Sequence, residues 1–94
     1  SYHLMDLLAK YGAEVSYYDP YIPVIKMTRE HPHWAGTKSV EWDEETVRGF
    51  DACIIATAHK VINWEELAKW CGLIIDTRNA MAGVKTAPNQ VWKA

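Results

Sequence analysis

Leu4, Leu7, Leu8 and Tyr11 recur at the i, i+3, i+4, i+7 spacing of one helix face, and Gly12 follows where a C-terminal cap belongs. Residues 13–19 then read as a strand. Val15, Tyr17 and Tyr18 suit a pleated surface, and Pro20 and Pro23 stop it. Residues 20–37 hold three prolines and Gly36 with no steady period, which predicts a long excursion. Lys38–Trp42 suits a short strand. Asp43 is placed to cap a short helix reaching Gly49, with Glu44 and Glu45 at the positive end of its dipole.

Two continuous apolar runs follow, Ala52–Thr57 and Leu73–Asp76. Strands covered on both faces look like this, so a parallel sheet is expected. Between them Asn63 and Glu66 make a variant of the capping box. It starts a helix that passes Leu67 and Trp70 and ends at Gly72. Residues 90–93 suit a last short strand. Alternation of helix and buried strand predicts an α/β fold, three-layered and Rossmann-like, with a mostly parallel sheet. Residues 1–94 read as a single domain. The chain opens on a helix with no strand feeding it, whereas a right-handed βαβ unit places a strand first. The expectation is that the first strand and its turn belong to a longer parent. A small domain that simply begins on a helix is the alternative.

Composition narrows the function classes. Of 94 residues, 49% are hydrophobic and 23% charged, a globular balance that argues against disorder or coiled coil. Ten Lys and Arg against twelve Asp and Glu give a net charge of −2, so backbone-driven nucleic-acid binding is not expected. No apolar run reaches the roughly 20 residues that span a bilayer. The opening Ser-Tyr-His-Leu-Met-Asp lacks the basic start and apolar core of a signal peptide. Cys53 and Cys71 sit among apolar neighbours and read as reduced core thiols, consistent with a cytoplasmic setting. No metal-ligand spacing is evident. His31 and His33 lie two apart without a third ligand.

In open parallel sheets, ligands gather outside the carboxyl ends of the strands. Three polar clusters fall there. Asp19, between Tyr18 and Pro20, is either a turn aspartate or an acceptor for a ribose hydroxyl. No Gly-x-Gly-x-x-Gly loop precedes it. Thr57-Ala58-His59-Lys60 follows the first apolar run. His59 is either a loop residue or a ligand contact, and no nucleophile stands beside it in sequence. Asp76-Thr77-Arg78-Asn79 follows the second. Arg78 carries the planar donor fork that meets phosphate oxygens, or else pairs with a neighbouring carboxylate. The five tryptophans are many for this length, and some are expected to pack on a missing remainder of the parent.

Three segments together resemble the C-terminal, UDP-binding domain of the UDP-glucose/GDP-mannose dehydrogenase family. They are Gly-Ala-Glu-Val-Ser-Tyr-Tyr-Asp-Pro-Tyr-Ile-Pro at 12–23, Asp-Ala-Cys-Ile-Ile-Ala-Thr-Ala-His at 51–59, and Leu-Ile-Ile-Asp-Thr-Arg-Asn at 73–79. The opening Ser-Tyr-His-Leu-Met-Asp-Leu-Leu is similar to the helix after that domain's first strand. The resemblance implies a parent that oxidises the C6 alcohol of a nucleotide sugar with NAD and a catalytic cysteine. An N-terminal NAD-binding domain and a central domain would be its other parts. It implies a homo-oligomeric parent, a UDP-sugar ligand, and no catalytic residue or cofactor held by these residues alone. Cys53 and Cys71 do not stand in the family's nucleophile motif.

The arginine of the family's Asp-x-Arg motif corresponds to Arg78, so the resemblance implies a substrate contact there. Asn79 and Thr57 join it as candidates. Thr57-Ala58-His59 departs from the Thr-Asp-His of many relatives and loses a carboxylate. The stretch Glu30-His31-Pro32-His33-Trp34-Ala35-Gly36, followed by Ser39-Val40-Glu41, resembles UDP-N-acetylglucosamine dehydrogenases more than UDP-glucose dehydrogenases. A different class of function stays open. The chain would then be a stand-alone α/β binding or regulatory module for another nucleotide or a protein partner, or a domain kept for dimer contacts.

Overall fold

A computed structural model describes residues 2–27 and 32–93. The chain divides into two units, Ser1–Glu41 and Trp42–Ala94.

The second unit carries the sheet. Helix α2 (Glu44–Arg48) starts at Asp43, whose side chain accepts the Thr46 N–H at 2.7 Å, and it ends at Gly49. Strand β1 (Cys53–Ile55) leads through a turn to helix α3 (Trp64–Trp70), and strand β2 (Ile74–Asp76) follows. Strand β3 (Val91–Lys93) completes a three-stranded sheet in the order β1-β2-β3. Both pairings are parallel, with Cys53, Ile54 and Ile55 opposite Ile74, Ile75 and Asp76, and those opposite Val91, Trp92 and Lys93. The fold is α/β and Rossmann-like, as the alternating pattern predicts.

Parallel strands are stable here because a helix layer covers them. Val47, Ile55, Leu67, Cys71, Ile74 and Met81 form one buried cluster, with Trp42, Trp64 and Trp70 packed against it. Leu67 and Ile74 are completely enclosed, and each contributes about 1.5–3 kcal/mol by burial. Trp42 and Trp70 meet in a tilted ring pair 5.7 Å apart. Three of the five tryptophans therefore serve this core, whereas Trp92 is exposed.

The end of α3 differs from expectation. Its C-cap is Cys71 in an extended conformation, not Gly72. A left-handed glycine is unnecessary because the buried Gln90 side chain takes over the terminal carbonyls. Gln90 Nε2 donates to the Ala68 and Cys71 oxygens, and Oε1 accepts the Ala87 N–H at 3.0 Å.

In the first unit, helix α1 spans Tyr2–Lys10. Gly12, at φ 91°, closes it with paired bonds from Gly12 N to Ala9 O and from Ala13 N to Leu8 O. The buried face is not the expected one. Met5 is buried and Leu4 and Leu8 are half-buried, but Leu7 and Tyr11 are exposed. The strand expected at 13–19 is not formed either. Tyr17 O accepts the Val40 N–H and Asp19 N–H donates to Ser39 Oγ, without a ladder. The strand expected at Lys38–Trp42 reduces to one antiparallel bridge between Lys38 and Val24. Residue types that suit a strand still need a neighbour that repeats the pairing.

Candidate functional site at the carboxyl edge of the sheet

Ile55 and Asp76 face one another at the ends of β1 and β2. Thr57 stands two residues past the first and Arg78 two past the second. Both candidates thus leave the same edge of the sheet from neighbouring strands. Thr77 ties the two exits together, since its hydroxyl donates to Ile55 O and its N–H reaches the same oxygen at 3.4 Å. Thr57, Arg78 and Asn79 are all exposed.

Asp76 shapes the second exit. It is 1% exposed, yet its carboxylate is fully engaged. Oδ1 accepts the N–H groups of Arg78 at 3.0 Å and Ala80 at 3.1 Å, and Oδ2 accepts that of Met81 at 2.8 Å. Burial by itself pushes this carboxyl up. The N–H donors of Met81, Arg78, Ala80 and Asn79 outweigh it and hold the group below the ordinary aspartate value. The loop wraps round the carboxylate, and Asn79 takes the left-handed conformation at φ 58° to complete the turn. Met81 is thereby drawn into the core cluster while Arg78 and Asn79 stay outside.

This arrangement decides how an anion can be met. The N–H groups of Arg78, Ala80 and Met81 are spent on Asp76, so the loop is no backbone cradle. The N-termini of α2 and α3 are occupied too. Asn63 Oδ1 accepts from Glu65 N and Glu66 N at 3.1 Å each, and Asp43 holds Thr46 N. What this edge leaves exposed are side chains: a guanidinium, an amide and a hydroxyl.

The other candidates sort as follows. Asp19 Oδ1 accepts the Tyr21 and Ile22 N–H groups at 2.8 and 3.2 Å, the bonding of a turn aspartate. His59 is half-buried, and its carbonyl accepts the Ile62 N–H in the turn before α3. His33 pairs with Asp6, which also accepts the Trp34 indole N–H at 2.7 Å. His31 lies outside the described residues. Among the described residues no three His, Cys, Asp or Glu groups gather to hold a metal ion. No described helix is long and apolar enough to cross a membrane. A groove of about 340 Å³ lined by Arg48, Lys69, Trp70 and Asn89 lies at the amino edge, away from Arg78 and Thr57.

The structure adds two polar residues that sequence reasoning did not single out for their roles. Asp76 ends an apolar run and precedes a Thr-Arg-Asn turn, a signal that could have marked it as a loop organiser. Gln90 offers no such signal, because its partners are backbone carbonyls 19 and 22 residues away.

Gly12, Gly36, Gly49, Gly72 and Gly83 stand singly along the chain. They do not form the closely spaced glycine turn of a dinucleotide-binding fingerprint. Comparison with curated proteins and with solved structures returned no match. Comparison with protein families matched residues 1–83, which include α1, β1, α3, β2 and the Asp76–Met81 loop, and stop short of β3. The chain belongs to the UDP-glucose/GDP-mannose dehydrogenase family, as its UDP-binding domain.

Proposed function

We propose that residues 1–94 form a domain that holds the nucleotide end of a UDP-sugar in a longer, NAD-dependent 6-dehydrogenase. Arg78 pairs with the diphosphate or the nucleotide end, and Asn79 and Thr57 add neutral hydrogen bonds. The observation that carries this reading is the Asp76-centred loop, which ties down the backbone behind Arg78 while leaving its side chain open at the carboxyl edge. A charge-assisted bond of this kind is worth about 1.5–3 kcal/mol. Remote binding energy of that size orients the sugar for chemistry carried out elsewhere in the parent. NAD belongs to the parent's other domains in this reading. The sugar is a UDP-glucose or a UDP-N-acetylhexosamine, the latter favoured by the resemblance carried by residues 30–36 and 39–41. A cytoplasmic, homo-oligomeric parent completes the reading.

The test is an NMR titration of the labelled chain with UDP, with GDP and NAD⁺ in parallel. Saturating shifts with UDP alone, centred on Arg78, Asn79 and Thr57, are expected. Saturation by GDP or NAD⁺ with no response to UDP would overturn the assignment.

A further inference from the structure

The two cysteines converge on one backbone oxygen. Cys53 N–H donates to Leu73 O at 3.0 Å, and the Cys71 thiol donates to the same oxygen at 3.1 Å. Cys71 Sγ therefore lies within about twice that distance of the Cys53 nitrogen. Cys71 belongs to the buried cluster around Leu67 and Ile74, Cys53 packs against it, and both thiols are free. Cys71 closes α3 and Cys53 opens β1, so a bond between them would stitch the helix layer to the sheet. A disulfide needs Cα atoms roughly 4.4–6.8 Å apart, and the shared anchor with the common cluster makes these two cysteines the pair to test for it.

We propose that Cys53 and Cys71 are a dithiol that a peroxide converts to an intramolecular disulfide in the folded protein. Cys53 is partly exposed and Cys71 is 1% exposed, so the peroxide meets Cys53 first. The Cys53 thiol sulfur displaces water from the peroxide and becomes a sulfenic acid. The Cys71 sulfur then attacks it, forms the S–S bond and releases a second water. Two thiols are oxidised and one peroxide is reduced to two waters. Burial, and secondarily the neighbouring Cys71, push the Cys53 thiol up to about 11. It is therefore protonated at neutral pH, which makes the pair slow to oxidise there and faster in alkali. The dithiol sits at the amino end of β1, and Thr57 follows its carboxyl end, so the proposal does not depend on nucleotide binding.

The experiment is peroxide treatment of the reduced chain in native buffer, followed by intact-mass and peptide mass spectrometry. The expected product is a monomer lighter by two hydrogens, with a single cross-link joining the Cys53 and Cys71 peptides. Its rate should rise at least about fivefold between about pH 7 and about pH 8.5. Cys53→Ser and Cys71→Ser should each abolish the cross-link, although the wild-type product alone carries the test. Three outcomes overturn the proposal. They are a monomer that stays reduced, one that gains oxygen on a single cysteine without cross-linking, and a cross-link that forms only in urea.

Discussion

Asp76 Oδ2 accepts the N–H of Met81 at 2.8 Å, five residues onward, and so closes a loop on a buried carboxylate. Asp76→Ala leaves the N–H groups of Arg78, Ala80 and Met81 without the acceptor they share. It should cost about 2–4 kcal/mol of stability, and Met81 should lose its place in the core. Urea denaturation of the variant against wild type measures this. A change below about 0.5 kcal/mol, the scale of an ordinary surface substitution, would contradict the loop's role.

The same carboxylate gives stability an acid dependence. Its folded value lies below the ordinary 3.8, so the ionised form is favoured by folding. The contribution is fully present above pH 3.8 and is lost as pH falls through the lower folded value. Asp43, held low mainly by its backbone and side-chain bonds to Thr46, acts in the same direction. Asp76→Asn should therefore flatten the loss of stability below pH 3.8 without abolishing it. Thermal unfolding followed across that range would show it, and an unchanged acid slope would count against the assignment.

Gln90 joins three pieces of backbone. Its side chain holds the end of α3 and the 87–90 turn, and its carbonyl accepts the Ile74 N–H at 2.8 Å at the start of β2. Gln90→Ala should cost about 2–3 kcal/mol. A chain ending at Gly83, where the family match ends, should lose cooperative unfolding, because β2 then forfeits β3 as a partner. Circular dichroism melts of both variants decide this. A sharp, wild-type-like transition in the shortened chain would show β3 to be dispensable.

Most of the second unit is legible in its sequence. The apolar runs Ala52–Thr57 and Leu73–Asp76, within which β1 and β2 form, carry their own signal of a parallel sheet. Asp43 and Asn63 act locally on N–H groups two or three residues away. What escaped prediction depends on partners distant in sequence. Glu66, expected to bond back to its own helix start, instead accepts the Trp42 indole N–H at 3.0 Å. Residues 13–19 have the right side chains for a strand, but pairing is a property of two segments, and Lys38–Trp42 does not supply the second. The candidate site divides the same way. The exit of Arg78 at the carboxyl edge follows from its place after an apolar run, whereas the clasp that positions its backbone depends on Asp76 bonding to residues up to five places onward.

Leu67 sits at the contact of α3 with the sheet, 1% exposed. Leu67→Ala should open a cavity and cost about 2–5 kcal/mol. A domain of this size has only about 5–15 kcal/mol in total, so a markedly lowered denaturation midpoint is the expected phenotype. Chemical denaturation of Leu67→Ala beside Leu67→Met separates volume from polarity, since methionine should retain most of the stability.

Arg78 is exposed, and the bond it makes inside the loop comes from its backbone N–H, not its guanidinium. Removing the side chain should leave the Asp76 clasp intact. Arg78→Ala should therefore keep the wild-type melting temperature and stability within about 0.5 kcal/mol. UDP affinity should fall at least about tenfold, or about 1.4 kcal/mol, and in the parent enzyme KM for the nucleotide sugar should rise by the same factor. Arg78→Lys keeps the charge and loses the planar fork, so it should recover part of the affinity. Asp76→Asn provides the contrast: affinity and stability should fall together, because the loop itself loosens. Calorimetric titration with UDP, paired with melts of the same samples, separates the two patterns. An Arg78→Ala chain that binds UDP within twofold of wild type would remove this residue from the site.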